Sequence, residues 1–96
     1  MSYNVLLSEQ ANDYVSALDK KSTRIVKENL GKLEEDPYPR PDSGSGDKEG
    51  ITVDGEDIYR LHIGRTHTAF YDILEDAEEV RVVEITDIDD AHNRYG

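Results

Sequence analysis

The chain has 96 residues, which supports one domain over 1–96 with a single modest core. It carries 22 acidic residues against 11 lysines and arginines, a formal net charge of −11 at pH 7. No apolar run approaches the roughly 20 residues that cross a bilayer, so we expect no membrane segment. The absence of cysteine excludes disulfides and thiolate metal sites. Because the sequence also has no signal-peptide pattern, we expect a cytoplasmic protein.

The acidic excess is spread along the chain, as in proteins from halophiles, whose cytoplasm is very salty. An acidic partner-binding protein, or one that avoids nucleic acid, would show the same composition. At about 1 M salt the Debye length is about 3 Å, so local contacts rather than the global charge would decide binding. The net charge therefore does not exclude an RNA ligand.

The first part of the chain predicts a strand followed by two short helices. Residues 3–7 (YNVLL) have the bulky apolar side chains of a strand. Ser8 is a candidate N-cap for the first helix, and Ser22 or Thr23 for the second, each followed by apolar residues at helical spacing. Because the two helices are short and closely joined, we expect an antiparallel helical hairpin.

The second part predicts a loop and then four strands. Residues 36–50 contain all three prolines and three of the seven glycines, a composition typical of a loop. Strand-like runs follow at 50–53, 58–63, 67–74 and 80–85, separated by turn sequences. The order β-α-α-β-β-β-β predicts an α+β domain with a mainly antiparallel sheet and the helices on one face.

The stretch 58–73 (IYRLHIGRTHTAFYDI) concentrates positive and imidazole side chains. Strand alternation places Arg60 and His62 on one sheet face, and a hairpin turn at Gly64 is expected to bring His67 back beside them. An ordinary solvated sheet face is one interpretation. Three such groups together, in a chain this poor in positive charge, favour a site for an anion.

The C-terminal sequence HNRYG adds His92, Arg94 and Tyr95. These residue types can supply a phosphate contact, a stacking surface and a titratable hydroxyl, although they also occur in frayed chain ends. The three histidines do not have the spacing of a metal site, and 87–90 lacks the glycine and distal glutamate of a calcium loop. We therefore expect neither a metal nor another cofactor.

The element order, with YRLHIG, HTAFYDI, VRVVEI and the final RY, resembles the RelE/ParE superfamily of type II toxins over nearly the whole chain. Its most specific part is 58–73, which is similar to the family's YRLRVGDYRVIYEI. The sequence KEGI at 48–51 resembles the family's weaker KKLKG. The residues that match in the specific part are Tyr59, Arg60, Leu61, Ile63 and Gly64.

The resemblance implies a compact toxin that is neutralised by an antitoxin in a hetero-oligomer. In the RelE branch it implies a ribosome-dependent endoribonuclease, an mRNA interferase that inhibits translation without a metal. The RNA 2′-hydroxyl attacks the adjacent phosphate, a base and an acid move protons, and cations stabilise the charge on phosphorus. From the chemistry of their side chains, the candidate catalytic residues are Arg60, His67 (or His62 in its place) and Tyr95. The implied substrate-binding residues are His62, Lys48, Arg65, His92 and Arg94.

Two departures from the family pattern leave other functions open. His62 and His67 stand where the family has arginines, and DDA at 89–91 replaces its GHR before the final tyrosine. One alternative is a non-catalytic, ParE-like inhibitor of DNA gyrase. The other is an attenuated member that acts only as an antitoxin-binding regulatory module.

Overall fold

The structure, a computed structural model, describes residues 2–39, 48–64 and 66–87. In these ranges a five-stranded sheet lies against two helices. The strands are β1 (Asn4–Leu7), β2 (Lys48–Val53), β3 (Glu56–Ile63), β4 (His67–Leu74) and β5 (Glu79–Asp87). The helices are α1 (Glu9–Ser16) and α2 (Lys20–Gly31), and a 3-10 turn (Lys32–Glu34) follows α2. The predicted order β-α-α-β-β-β-β is confirmed.

The strands are arranged in the order β1-β5-β4-β3-β2. Strands β2 to β5 form an antiparallel meander, and β1 pairs with β5 in parallel. The prediction of a mainly antiparallel α+β sheet is therefore confirmed. The parallel pair leaves β1 and β2 as the two edges of the sheet.

The two helices begin at side-chain caps. Ser8 Oγ accepts a hydrogen bond from the Ala11 backbone N–H at 3.1 Å, as predicted. The prediction of Ser22 or Thr23 as the second cap is wrong, because Asp19 caps α2 by accepting from the Ser22 N–H at 2.7 Å. A carboxylate suits this position since it also faces the positive end of the helix dipole.

Strands β2 and β3 are joined by a two-residue turn. Asp54 and Gly55 both have positive φ, 51° and 81°, the conformation whose twist matches that of a hairpin. The predicted loop over 36–50 is too long by three residues, because β2 begins at Lys48. Pairing with β3 extends the strand into a stretch whose composition alone is typical of a loop.

The hydrophobic core lies between the helices and one face of the sheet. Leu61 and Ile63 of β3 are buried there. None of the helices in the described ranges is long and apolar enough to cross a membrane. The buried side chains of this core are Ala11, Val15, Val26, Leu30, Leu33, Leu61, Ile63, Ala69, Tyr71, Val80, Val82 and Ile85.

Tyrosines fasten the segment that follows α2 to the sheet. The buried Tyr71 hydroxyl donates to the Pro37 carbonyl oxygen at 2.6 Å, and the rings of Tyr71 and Tyr59 stack with centroids 5.5 Å apart. The Tyr38 hydroxyl donates to the carboxylate of Glu75, the residue that follows β4. These contacts hold the chain next to the sheet at residues 37–38, before it enters β2.

Candidate functional site

The sheet face away from the helices carries a group of three polar side chains. Arg60 and His62 lie on β3 and point away from the core, because their neighbours Leu61 and Ile63 point into it. The prediction that Arg60 and His62 share a face is confirmed. Glu49 on β2 is the cross-strand partner of Arg60 and joins them on this face.

The guanidinium group of Arg60 and the imidazole of His62 both contact the same carboxylate oxygen of Glu49. Arg60 donates to Glu49 Oε1 from Nε at 2.8 Å and from Nη2 at 2.5 Å. His62 Nε2 lies 2.9 Å from the same oxygen. The side chains are 19%, 43% and 31% exposed for Arg60, Glu49 and His62, so a ligand can reach all three from solvent.

The surroundings hold the pKa of Glu49 below its usual value of 4.5. The main cause is the hydrogen bond with His62, followed by that with Arg60, while partial burial acts in the opposite direction. Glu49 is therefore a carboxylate at neutral pH. It can accept a proton or a hydrogen bond at a point directly beside the guanidinium group.

Sequence reasoning missed Glu49, although a signal for it was present. The turn residues Asp54 and Gly55 predict a two-residue hairpin loop, and that loop length makes position 53 face position 56. Counting back along both strands places Glu49 opposite Arg60, the pairing that is observed. An acid that faces an arginine on the side of the sheet away from the core is a candidate site residue.

Strand β4 supplies the floor of the site. Thr68 is the cross-strand partner of His62 and Phe70 that of Arg60, and both side chains are fully buried. Ala69 instead faces the core. Among the described residues Thr68 Oγ1 has no hydrogen-bond partner. The polar site therefore lies next to two side chains, Thr68 and Phe70, that are not exposed to solvent.

The expected position of His67 beside Arg60 and His62 is wrong. His67 pairs with Ile63, so it lies on the helix side of the sheet. Its Nδ1 is 2.8 Å from the Tyr14 hydroxyl oxygen, and the two rings meet edge to face. In the register of the β3–β4 pair, His67 lies one position away from Thr68, the partner of His62, and one position reverses the face.

Lys48 also lies away from the group of Arg60. Its cross-strand partner is Leu61, and its ammonium donates to the Asp36 carbonyl oxygen at 2.7 Å. Four other predicted residues, Arg65, His92, Arg94 and Tyr95, lie outside the described residues, and their roles stay predictions. No group of three or more His, Asp or Glu side chains suited to a metal occurs within the described ranges.

Comparison with solved structures shows that the chain has the fold of the RelE-like toxins. An archaeal RelE–RelB complex from Pyrococcus horikoshii matches with 23% identity and a TM-score of 0.71, over 91% of this chain and 96% of that one. The RelBE2 toxin–antitoxin complex from Mycobacterium tuberculosis matches with 16% identity and a TM-score of 0.72, over 91% and 99%. The YoeB dimer from Staphylococcus aureus matches with 20% identity and a TM-score of 0.67, over 90% and 97%.

No protein-family model matches the sequence, and no curated protein matches it. The structural matches span nearly the whole chain, and they confirm, at the level of the fold, the resemblance seen in 58–73.

Proposed function

We propose that the protein is the toxin of a type II toxin–antitoxin pair and acts in the cytoplasm as a ribosome-dependent endoribonuclease that cleaves mRNA. The observation that carries this proposal is the group of Arg60, Glu49 and His62 on the sheet face away from the helices, in a RelE-like toxin fold. It combines a fixed positive charge, a base and an imidazole, which are the groups that phosphodiester transesterification needs.

Arg60 has the chemistry to bind the phosphate at the cleavage position. Its guanidinium is always charged and has five N–H donors in a planar fork. Glu49 accepts from two of its nitrogen atoms, Nε and Nη2, which leaves other N–H groups for phosphate oxygens. Charge that builds up on the phosphate oxygens in the transition state would be stabilised by this group.

Glu49 would act as the general base and His62 as the general acid. The Glu49 carboxylate takes the proton of the RNA 2′-hydroxyl, whose oxygen attacks the adjacent phosphorus. The bond to the 5′-oxygen breaks, leaving a 2′,3′-cyclic phosphate, and the departing oxygen takes a proton from an acid. Because His67 lies on the other face, we assign the acid role to His62 instead. Tyr95 stays a catalytic candidate from the sequence, and His92 a candidate for substrate binding.

Two partners belong to this proposal. The matching structures from Pyrococcus horikoshii and Mycobacterium tuberculosis are complexes of toxin with antitoxin, which supports a cognate antitoxin here. The ribosome would present the mRNA. Binding of single strands falls with a slope of about −0.7 per phosphate contact, so three contacts lose roughly two decades of affinity per tenfold rise in salt. A ribosome would hold the substrate by other contacts.

Mapping of mRNA 5′ ends after induced expression in a salt-tolerant host tests the proposal. Codon-phased cuts are expected with the wild-type chain and should disappear in Arg60→Ala. Arg81→Ala is the matched control, because Arg81 is also paired with a glutamate, Glu79 at 3.1 Å, but lies on β5 away from the site. Cuts that persist in Arg60→Ala would remove the site from the proposal.

One observation favours the non-catalytic alternatives. The carboxylate of Glu49 neutralises the positive charge of Arg60, which weakens the attraction of this face for phosphate. Intact mRNA together with stalled replication would indicate a gyrase inhibitor. Intact mRNA with normal replication would indicate a regulatory module that only binds an antitoxin.

A further inference from the structure

Helix α2 concentrates the positive charge of this acidic chain. It contains four of the eleven lysines and arginines, although the chain as a whole has a net charge of −11. The four side chains are exposed, and within the described ranges none forms an ion pair with a carboxylate. They are Lys20, Lys21, Arg24 and Lys27.

Helix stability does not account for this arrangement. Lys20 and Lys21 occupy the first turn of α2, where the helix dipole favours acidic side chains, and this turn has no acidic residue. Lysine at this end opposes the dipole, and within the described ranges only Lys21 is offset by a favourable interaction with the Asp19 carboxylate at the cap. Residues that oppose a local preference of the helix and do not stabilise the fold in another way are candidates for contacts with another molecule.

Three of the four cations border a groove with a mostly apolar surface. Lys20, Arg24 and Lys27 follow the spacing i, i+4, i+7 and so lie on one face of α2. Leu18 forms part of the floor, and the Thr23 hydroxyl donates to the Val15 and Leu18 carbonyl oxygens at 3.4 Å each, so this polar group is used inside the fold. The groove measures about 410 Å³ and is lined by Leu18, Lys20, Thr23, Arg24, Lys27 and Glu28.

We propose that this groove binds an acidic amphipathic segment of a protein partner. One apolar side chain of the segment would fill the space over Leu18 and Thr23, and its carboxylates would pair with Lys20, Arg24 and Lys27. Identification of that partner as the antitoxin rests on the proposed function, whereas the chemistry of the groove does not.

The groove suits protein better than RNA. Its mostly apolar lining matches an aliphatic side chain, whereas a nucleic acid backbone presents charge and sugar. The Glu28 carboxylate at the rim would repel a phosphate but could pair with a basic residue of a protein segment, which would fix the direction of binding. Helix α2 also covers the face of the sheet opposite Arg60, so a segment bound here would not occupy the candidate active site.

A designed peptide tests the groove directly. The probe is a helical peptide of about 16 residues, roughly four turns, with leucines on one face and glutamates beside them. Titrated into the ¹⁵N-labelled full chain, it should shift the amide resonances of 18–28. A peptide with lysines in place of the glutamates should not bind.

Two charge-matched triple variants separate a site from general attraction. Lys20→Gln, Arg24→Gln and Lys27→Gln together should weaken binding of the acidic peptide by about tenfold, measured by fluorescence anisotropy. Replacement of three exposed cations outside the groove should change it by less than about twofold. The three control substitutions are Lys21→Gln, Lys32→Gln and Arg81→Gln.

Three outcomes would overturn the inference. Equal weakening in both triple variants would mean that binding follows net charge. Amide shifts centred on Arg60 and His62 would place the peptide on the sheet face instead. Octauridylate that shifts 18–28 more strongly than the peptide does would make the groove an RNA surface. Failure of the proposed function would be seen separately, as uncut mRNA with the wild-type chain while peptide binding is retained.

Discussion

Arg60 donates two hydrogen bonds to a single oxygen of Glu49, its partner across the β2–β3 hairpin. Because both residues sit on paired strands and not on loops, their separation is set by the hydrogen-bonded ladder of the sheet. A phosphate that binds Arg60 would therefore find the carboxylate already in place.

Glu49→Gln should lower mRNA cleavage by about 100-fold or more, because the amide cannot take the 2′-hydroxyl proton. Binding of RNA should not weaken, since a negative charge beside Arg60 is removed. The frequency of cuts in ribosome-bound mRNA measures the effect on cleavage, and the affinity for RNA measures the effect on binding. Glu79→Gln, which changes the partner of Arg81, is the control. Undiminished cleavage in Glu49→Gln would exclude Glu49 as the base.

The stabilising effect of Glu49 should depend on pH. Its pKa is lowered in the folded chain, so ionised Glu49 stabilises the fold above its usual value of 4.5, and this contribution is lost as pH falls through the lowered pKa. The difference in Tm between wild type and Glu49→Gln should be largest near neutral pH and should shrink below 4.5. A difference independent of pH would show that the effect is not ionic.

Thr68→Val should leave the fold as stable as before or stabilise it by about 1 kcal/mol. The Thr68 hydroxyl is buried without a hydrogen-bond partner among the described residues, and an unsatisfied buried polar group costs about 1–3 kcal/mol. Valine has nearly the same shape. Urea unfolding measures the change, with the half-buried Thr23→Val as a contrast, because the Thr23 hydroxyl is bonded. A marked loss of stability in Thr68→Val would mean that the hydroxyl has a partner.

The Tyr14–His67 pair should act in stability rather than in cleavage. Tyr14→Phe and His67→Gln each remove the 2.8 Å hydrogen bond, at a cost of about 1 kcal/mol, and the double variant should lose little more than either single one. His67→Gln should also retain most mRNA cleavage, whereas His62→Gln should not. If the cleavage losses are reversed between the two histidines, the assignment of His62 as the acid is wrong.

Much of the architecture can be predicted from local patterns. Alternation over 58–63 correctly separates the residues that face the core, Leu61 and Ile63, from Arg60 and His62. Ser8 is recognisable as a cap since capping depends on a side chain three residues from its donor. These features need only neighbours along the chain, so the sequence contains them.

The composition of the site depends on pairing between strands. His67 and His62 differ by five positions, and whether they share a face is decided by the register of the β3–β4 hairpin. Glu49 contacts Arg60 only because β2 starts at Lys48, within the stretch 36–50 whose composition is typical of a loop. Hydrophobic alternation in the sequence determined which side chains point away from the core. The tertiary structure decided which of these side chains are in contact, because a shift of one residue in strand pairing moves a side chain to the opposite face.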